Sequence, residues 1–125
     1  MQAKGKKILI VDDDSRNIFA LSAVLKAKGY TCLSAPGVSE AIDIIRSDSG
    51  IGIILLDMMM PDMDGYEAIP RIKAMEESHL IPIIAVTAQA MKGDRERCLE
   101  AGADDYIAKP VNIEALEKIL SNYIG

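Results

Sequence analysis

Short aliphatic runs with almost no polar alternation are the feature that most constrains how this chain can fold. Three of them, KILIV at 7–11, IGIILL at 51–56 and PIIAV at 82–86, are almost wholly apolar. A strand has this pattern when both faces of its sheet are covered, as in parallel sheets. Two shorter runs, YTCLSA at 30–35 and DYIA at 105–108, complete a set of five predicted strands.

Segments with helical spacing of apolar residues alternate with these strands. The first contains Ile18, Leu21, Val24 and Leu25 and ends before Gly29, and the others cover 37–47, 66–75, 93–102 and 112–124. Asn112 is a suitable N-cap for the last helix. Pro70 lies inside the third, where a proline removes one backbone hydrogen bond and clashes with the preceding turn. We therefore expect that helix to start late or to kink near Pro70.

Five strands alternating with five helices predict an α/β fold, a doubly wound parallel sheet with helices on both faces and right-handed crossovers. Sheets of this size usually have the flavodoxin-like strand order 2-1-3-4-5, and they bind ligands beyond the carboxyl ends of strands 1 and 3. The 125 residues suit one domain, 1–125, with no room for an output domain.

Composition narrows the class of protein. A net charge of −5 without a basic stripe argues against nucleic acid as a partner. No apolar run approaches the ~18 residues of a membrane span, and because three aspartates follow ILIV at once we expect no signal peptide. Cys32 and Cys98 are far apart and form no C-x-x-C pair, which favours reduced thiols in a cytoplasmic protein. His79, the one histidine, lies in a polar stretch, so no histidine metal cluster or Ser-His-Asp triad can form.

Polar side chains follow four of the five predicted strands, where each strand ends. Strand 1 ends in Asp12, Asp13 and Asp14, strand 3 in Asp57, strand 4 in Thr87, and strand 5 runs into Lys109. Because the strands are parallel, these ends lie at one rim of the sheet, where loops often carry function.

The charges at this rim indicate a chemistry. Clustered carboxylates repel one another, and a divalent cation removes that repulsion. Oxygen ligands with room for water fit Mg²⁺. A lysine and a hydroxyl nearby would bracket a tetrahedral anion, and phosphoryl transfer needs little beyond such positioning and charge neutralisation. With no Ser, Cys or His placed to attack, the nucleophile would be a carboxylate that forms an acyl phosphate.

Each residue also has an ordinary structural explanation. An aspartate after a strand is often a turn former or helix N-cap, a role we assign to Asp14, and Asp62 and Asp64 fit the turn PDMDG. A lysine before proline is usually solvated, and a threonine at a strand end is common. If all of these structural explanations applied, polar residues would follow four separate strands at the same rim of the sheet only by coincidence.

At these residues the sequence resembles the receiver domain of two-component response regulators, along essentially the whole chain. The matching motifs are ILIVDDDSRN, DMMMPDMDG, AVTAQAM and GADDYIAKP. The stretch TAQAMKGDRERCLEAGADDYIAKP is especially similar to receivers of hybrid histidine kinases and to stand-alone relay receivers. The chain could be either a stand-alone protein or a domain of a longer kinase.

The resemblance implies a phospho-acceptor with Mg²⁺ as cofactor. Asp57 would accept the phosphoryl group from a phosphohistidine on a histidine kinase or a histidine phosphotransfer protein. Asp13, Asp57 and the backbone carbonyl of Met59 would bind Mg²⁺ directly, and Asp12 through water. Such a domain catalyses its own phosphorylation and hydrolysis only and turns over no external substrate.

The resemblance also implies a switch. Lys109 would pair with the phosphoryl oxygens, and Thr87 with the backbone N–H of Ala88 would receive another oxygen. Tyr106 would then turn inward, and the face formed by the elements at 93–102, 105–108 and 112–124 would bind a downstream protein. Tyr106 could instead be an ordinary packed aromatic whose hydroxyl reaches water.

Three positions depart from a common receiver pattern or vary within the family. Pro70 lies where many receivers continue their third helix. Met59 and Gln89 occupy positions that tune the lifetime of the phosphoryl group, and an apolar Met59 would hinder an attacking water.

Three other functions compete with this interpretation. A haloacid-dehalogenase-type phosphohydrolase would need Thr or Val at position 16, which is Arg16, and a cap domain. A flavodoxin-like binding module would need a Ser/Thr/Gly phosphate loop where this chain has three aspartates. A pseudo-receiver, a purely structural adaptor, would lack part of the Asp, Thr and Lys set.

Overall fold

The computed structural model describes residues 6–60, 65–87 and 93–124, which form five strands and five helices in strict alternation. The strands are β1 (Lys7–Val11), β2 (Thr31–Ala35), β3 (Ile51–Asp57), β4 (Ile83–Thr87) and β5 (Asp105–Ala108). The helices are α1 (Ser15–Ala27), α2 (Val38–Ser47), α3 (Gly65–Lys73), α4 (Asp94–Ala101) and α5 (Ile113–Ile124). The predicted α/β class and the type of every element are confirmed.

The five strands form one parallel sheet in the order β2-β1-β3-β4-β5, as predicted. The order reverses between β1 and β3, so the helices that follow these strands pack on opposite faces. This leaves a crevice beyond the carboxyl ends of β1 and β3.

Each face of the sheet carries its own hydrophobic core, which explains why the strands do not alternate polar and apolar residues. Leu9 and Val11 of β1 belong to the core between the sheet and helices α2 and α3. Ile8 and Ile10 belong to the core between the sheet and helices α1 and α5. The two-residue period of a strand sends successive side chains to opposite faces. With helices on both faces, every position of a central strand must be apolar.

Side chains at the helix ends act as expected. Asp14 is the N-cap of α1 and accepts a hydrogen bond from the Arg16 backbone N–H at 3.0 Å. Asn112 accepts one from the Ala115 N–H at 2.9 Å, which confirms it as the cap of α5. These bonds satisfy backbone donors that have no partner inside the helix.

Of the two alternatives expected for α3, the late start is wrong, and the kink near Pro70 stays a prediction. The helix includes Gly65 and continues through Pro70 to Lys73. Pro70 is exposed, whereas Ala68, Ile69 and Ile72 are buried against the sheet. Packing of this apolar face outweighs the lost backbone hydrogen bond, since most helical stability in proteins comes from such packing.

Among the described residues, no helix combines the length and apolar character required to cross a lipid bilayer.

Candidate functional site

The two-residue period of the strands directs three charged side chains to the same side of the rim. Leu55 of β3 belongs to the core beneath α1 and α5, and Asp57 follows two positions later. Ile10 and Asp12 have the same relation at the end of β1, and Ile107 and Lys109 at the end of β5. Asp12, Asp57 and Lys109 therefore converge on the α1 and α5 side of the sheet, where all three line one groove.

Asp12 and Asp57 are two buried carboxylates that share one cation. Asp12 is 6% exposed and Asp57 is 5% exposed. The Lys109 Nζ lies 3.5 Å from Asp12 Oδ2 and 3.6 Å from Asp57 Oδ2. Lys109 thus compensates two negative charges with one positive charge, and the pair keeps an excess of negative charge.

Backbone donors hold both carboxylates in place. The Asp14 N–H donates to Asp12 Oδ1 at 2.8 Å, and the Met59 N–H donates to Asp57 Oδ1 at 3.1 Å. Each donor lies two residues after its acceptor, so each aspartate forms a local turn as its strand ends. The carboxylates are therefore fixed by the same turns that lead the chain out of the sheet.

Burial raises the pKa of Asp57 above its ordinary value of 3.8. The nearby charge of Asp12 also raises this pKa, whereas the Met59 N–H and the Lys109 ammonium lower it. The net direction is upward, so the ionised form of Asp57 is disfavoured in the folded chain. A site of this kind gains stability from an additional positive charge.

Three carboxylates at the rim fit a hard divalent cation. Asp12, Asp13 and Asp57 each offer an oxygen, and these oxygens lie within 4.8 Å of one another. Asp13 is exposed, so one side of the cluster is open to water. An oxygen-only donor set with access to water suits Mg²⁺, which usually keeps several waters. The side chain of Met59 is 60% exposed and offers no hard ligand, which leaves only its backbone carbonyl as a donor.

Thr87 and Tyr106 lie on the strands that flank this cluster. Thr87, 4% exposed, is the last residue of β4, and its carbonyl accepts a hydrogen bond from the Lys109 N–H at 2.7 Å. Tyr106 of β5 is half-buried against the core beneath α2 and α3. Ala88 and Gln89, predicted as switch and lifetime residues, lie outside the described residues. The roles of all predicted site residues remain predictions.

A groove of about 550 Å³ adjoins the carboxylates. Its walls are residues of α1 and the segment that leads into α5, including Asn17, Leu21, Val24, Pro110 and Val111. Val24 is exposed and lines this groove, although its helical spacing suggested a core position. Phe19, also on α1, is 76% exposed. Helical spacing did not reveal this surface, because spacing alone does not distinguish a buried stripe from one that borders a crevice.

The chain is similar to curated proteins of signal transduction. It is 38% identical over 126 residues to hybrid signal transduction histidine kinase I of Dictyostelium discoideum, covering 95% of this chain but only 7% of that kinase. It is 35% identical over 120 residues to the polar-differentiation response regulator DivK of Brucella ovis, covering 96% of this chain and 97% of DivK. The activities and partners of the whole kinase extend far beyond the part that this chain matches.

Solved structures show the same fold. The receiver domain of the sensor histidine kinase PA1611 of Pseudomonas aeruginosa, with a magnesium ion coordinated in its active-site cleft, is 40% identical with a TM-score of 0.81, covering 97% of this chain and 98% of that one. The receiver domain of Ssk1 from Saccharomyces cerevisiae, solved with the histidine phosphotransfer protein Ypd1, is 28% identical with a TM-score of 0.85, covering 94% and 88%.

A family model for the response regulator receiver domain matches residues 8–121. Domains of this family serve signalling and are not classical enzymes. The match includes all five strands except Lys7, the first residue of β1, and all but the end of the last helix. The chain therefore belongs to the response regulator receiver family, as a CheY-like receiver domain of two-component phosphorelay systems.

Proposed function

We propose that Asp57 accepts a phosphoryl group, in a Mg²⁺-dependent reaction, from a phosphohistidine on a histidine kinase or a histidine phosphotransfer protein. The observation that carries this proposal is the sharing of Lys109 by two buried carboxylates, at 3.5 and 3.6 Å, beside an open groove. A nucleophile, a cation for the phosphoryl oxygens and a path for the donor are thus present in one place.

The transfer requires little from the protein except geometry and charge. One carboxylate oxygen of Asp57 attacks the phosphorus, the P–N bond to the donor imidazole breaks, and its electron pair stays on that nitrogen. The imidazole leaves neutral when its other nitrogen carries a proton, and Asp57 becomes an acyl phosphate. The Met59 N–H holds one carboxylate oxygen at 3.1 Å, which leaves the second oxygen, near Lys109, to attack.

Asp13, Asp57 and the carbonyl of Met59 would hold Mg²⁺ directly, with Asp12 acting through water. The cation would neutralise the excess negative charge of the carboxylates and attract the phosphoryl oxygens. Support comes from the cluster of oxygens within 4.8 Å and from the related PA1611 receiver, which contains magnesium in its active-site cleft.

The groove between α1 and the start of α5 provides the approach for the donor. Its apolar walls lead to Asp57, and the exposed Phe19 lies on the same helix as Val24. The donor histidine must reach a carboxylate oxygen of Asp57, which is almost inaccessible from bulk solvent, so the partner must bind directly against this groove. A histidine phosphotransfer protein is the partner of the related Ssk1 receiver.

Phosphorylation would switch the α4-β5-α5 face for a downstream partner. Thr87 and the Ala88 N–H would receive a phosphoryl oxygen, and Tyr106 would turn inward as the loop closes. The half-buried position of Tyr106 supports this role, because a partly packed ring can exchange between two positions. Met59 and Gln89 would set the rate of hydrolysis.

Residues 1–125 would act as one receiver domain in the cytoplasm. It would catalyse only its own phosphorylation and dephosphorylation. Cys32 and Cys98 form no disulfide with each other in the described part of the chain, which is consistent with a reducing compartment.

Intact mass after incubation with a small acyl phosphate or phosphoramidate tests this function. Wild type should gain one phosphoryl group in the presence of Mg²⁺ and none with a chelator, and Asp57→Asn should gain none in either condition. A gain of mass in the mutant would show that a residue other than Asp57 accepts the phosphoryl group. No gain in wild type under any condition would favour a pseudo-receiver that serves only as an adaptor.

A further inference from the structure

Gly65 and Met58 approach each other closely directly behind the acceptor. Gly65, the first described residue of α3, is buried, and its N–H donates to the Met58 carbonyl at 3.2 Å. Met58 follows Asp57 and is fully buried in the core beneath α2 and α3. The start of α3 is therefore held against the end of β3.

No side chain larger than hydrogen fits at position 65. A Cβ added there would collide with Met58 Sδ and would lie 2.7 Å from Met58 Cε and 2.9 Å from its Cα. The thioether end of a methionine can move, but Met58 is enclosed by the core, and its α-carbon belongs to the backbone itself. A methyl group at position 65 must therefore displace the backbone of Met58 or the start of α3.

The backbone of Met58 connects two parts of the acceptor site. Met58 follows Asp57 directly in the chain. Its carbonyl carbon forms the peptide bond with Met59, whose N–H donates to Asp57 Oδ1 at 3.1 Å. The Met58 N–H donates to the Val86 carbonyl at 2.9 Å, which ties the peptide between Asp57 and Met58 to β4 one residue before Thr87. A displacement at Met58 is thus transmitted to the donor that orients the acceptor carboxylate.

We propose that Gly65 and Met58 are positioning residues for phosphoryl acceptance, acting through the Met59 N–H that orients the Asp57 carboxylate. This inference rests on the proposed function for its kinetic consequence. Near-attack geometry is sensitive to small displacements, since a 1 Å error can reduce a rate by about 100-fold. The absence of a side chain at position 65, which leaves Met58 and the following peptide in place, is therefore required for reactivity beyond its contribution to packing.

The test compares two glycine-to-alanine variants that differ in which end of β3 they crowd. Gly65→Ala crowds the Asp57 end. Gly52→Ala adds the same methyl group at the opposite end, where its Cβ would lie 2.9 Å from Lys6 Cβ and 3.1 Å from Ile124 Cγ2. Both substitutions disturb packing, so Gly52→Ala controls for a general loss of stability.

Three quantities are measured on the full chain: the phosphorylation rate at saturating Mg²⁺ and acyl phosphate, the Met59 amide resonance by NMR, and the urea midpoint of unfolding. Gly65→Ala should lower the rate about 10- to 100-fold and shift the Met59 resonance in the metal-free protein. Gly52→Ala should lower the urea midpoint but retain the wild-type rate and Met59 resonance. Adding Met58→Ala to Gly65→Ala, which removes the Sδ and Cε contacts, should recover part of the rate.

Two results would overturn the inference: a rate for Gly65→Ala within about twofold of wild type, or an equal loss of rate in Gly52→Ala. If Gly65→Ala does not fold, Met58→Leu, which changes the shape beside Gly65 at similar volume, is judged by the same rate and resonance. If wild type itself is not phosphorylated, the proposed function fails, and the Met59 resonance alone decides whether Gly65 and Met58 position that donor.

Discussion

Replacing Asp57 by asparagine should stabilise the metal-free protein at neutral pH, although it removes the proposed phosphoryl acceptor. The raised pKa of Asp57 means that its ionised form is less favourable in the folded chain than in the unfolded chain. Asparagine keeps the shape and the acceptor oxygen for the Met59 N–H but carries no charge. The substitution therefore removes a charge that the fold disfavours.

The distances give the size of this effect. With an effective dielectric constant of about 20, Lys109 at 3.6 Å attracts Asp57 by about 4.6 kcal/mol, and Asp12 within 4.8 Å repels it by at least about 3.5 kcal/mol. The exposed Asp13, also within 4.8 Å, adds a water-screened repulsion of about 1 kcal/mol. These contributions nearly cancel, and the desolvation of the carboxylate remains. We expect a gain of about 1 kcal/mol in the free energy of unfolding, or about 4 °C in melting temperature.

Urea unfolding followed by circular dichroism, in a chelating buffer from pH 4 to pH 8, measures the effect. Because the folded pKa of Asp57 is raised, wild type loses stability as the pH rises from 3.8 through that pKa, and Asp57→Asn does not. The advantage of the variant should therefore be small near pH 4 and full at pH 7. Adding Mg²⁺ at 100 times its dissociation constant should stabilise wild type by about 2.7 kcal/mol, which reverses the order and leaves wild type about 1.7 kcal/mol more stable than the variant. Asp43→Asn, at an exposed position of α2 outside the carboxylate cluster, is the matched control and should change stability less.

Equal or lower stability of Asp57→Asn at pH 7 in chelator would refute this reasoning, because it would show that the attraction of Lys109 exceeds desolvation and repulsion combined. A difference that does not change with pH would refute it as well, since the effect would then come from packing and not from the charge.

Three further substitutions test other parts of the site. Lys109→Met leaves two buried carboxylates without their cation, so the free energy of unfolding in chelator should fall by about 2–3 kcal/mol and recover partly with Mg²⁺; an unchanged urea midpoint would contradict this. Met59→Asn should accelerate dephosphorylation, measured by the decay of phosphoprotein mass, because a polar side chain would admit an attacking water; an unchanged rate would refute that role. Phe19→Ala should keep the wild-type rate with a small acyl phosphate but slow transfer from a phosphorylated histidine phosphotransfer protein, and equal losses with both donors would exclude a docking role.

Much of the fold could be predicted from the sequence because its signals are local. Apolar runs and helical spacing located each element to within one or two residues, and Asn112 indicated where α5 begins. The prediction of a late start of α3 was wrong because it applied a local rule about proline and ignored tertiary packing. Burial of Ile69 and Ile72 stabilises the helix although Pro70 lies within it. Helix stability is set by the whole apolar face, which a single residue does not reveal.

The composition of the candidate site was also predictable, because parallel strands bring their carboxyl ends to one rim and strand periodicity aligns Asp12, Asp57 and Lys109. The groove beside them was not predictable, since it depends on how α1 and α5 are spaced over the sheet. The close approach of Met58 and Gly65 was equally hidden. It joins the end of a strand to the start of a helix through a core side chain, and no spacing rule describes that approach.

The burial of β3 determines both the position of Asp57 and the cost of its charge. Residues of β3 are buried on both faces of the sheet, so the strand holds Asp57 at a fixed position, as the proposed transfer reaction requires. The same burial makes its ionised carboxylate unfavourable, and Lys109 can offset only part of that because it also serves Asp12. Whether the balance favours or disfavours the charge depends on opposing contributions of several kcal/mol that almost cancel. A sequence can show which groups take part in such a balance, but its sign follows only from their distances and burial. The remaining negative charge leaves the site responsive to a divalent cation.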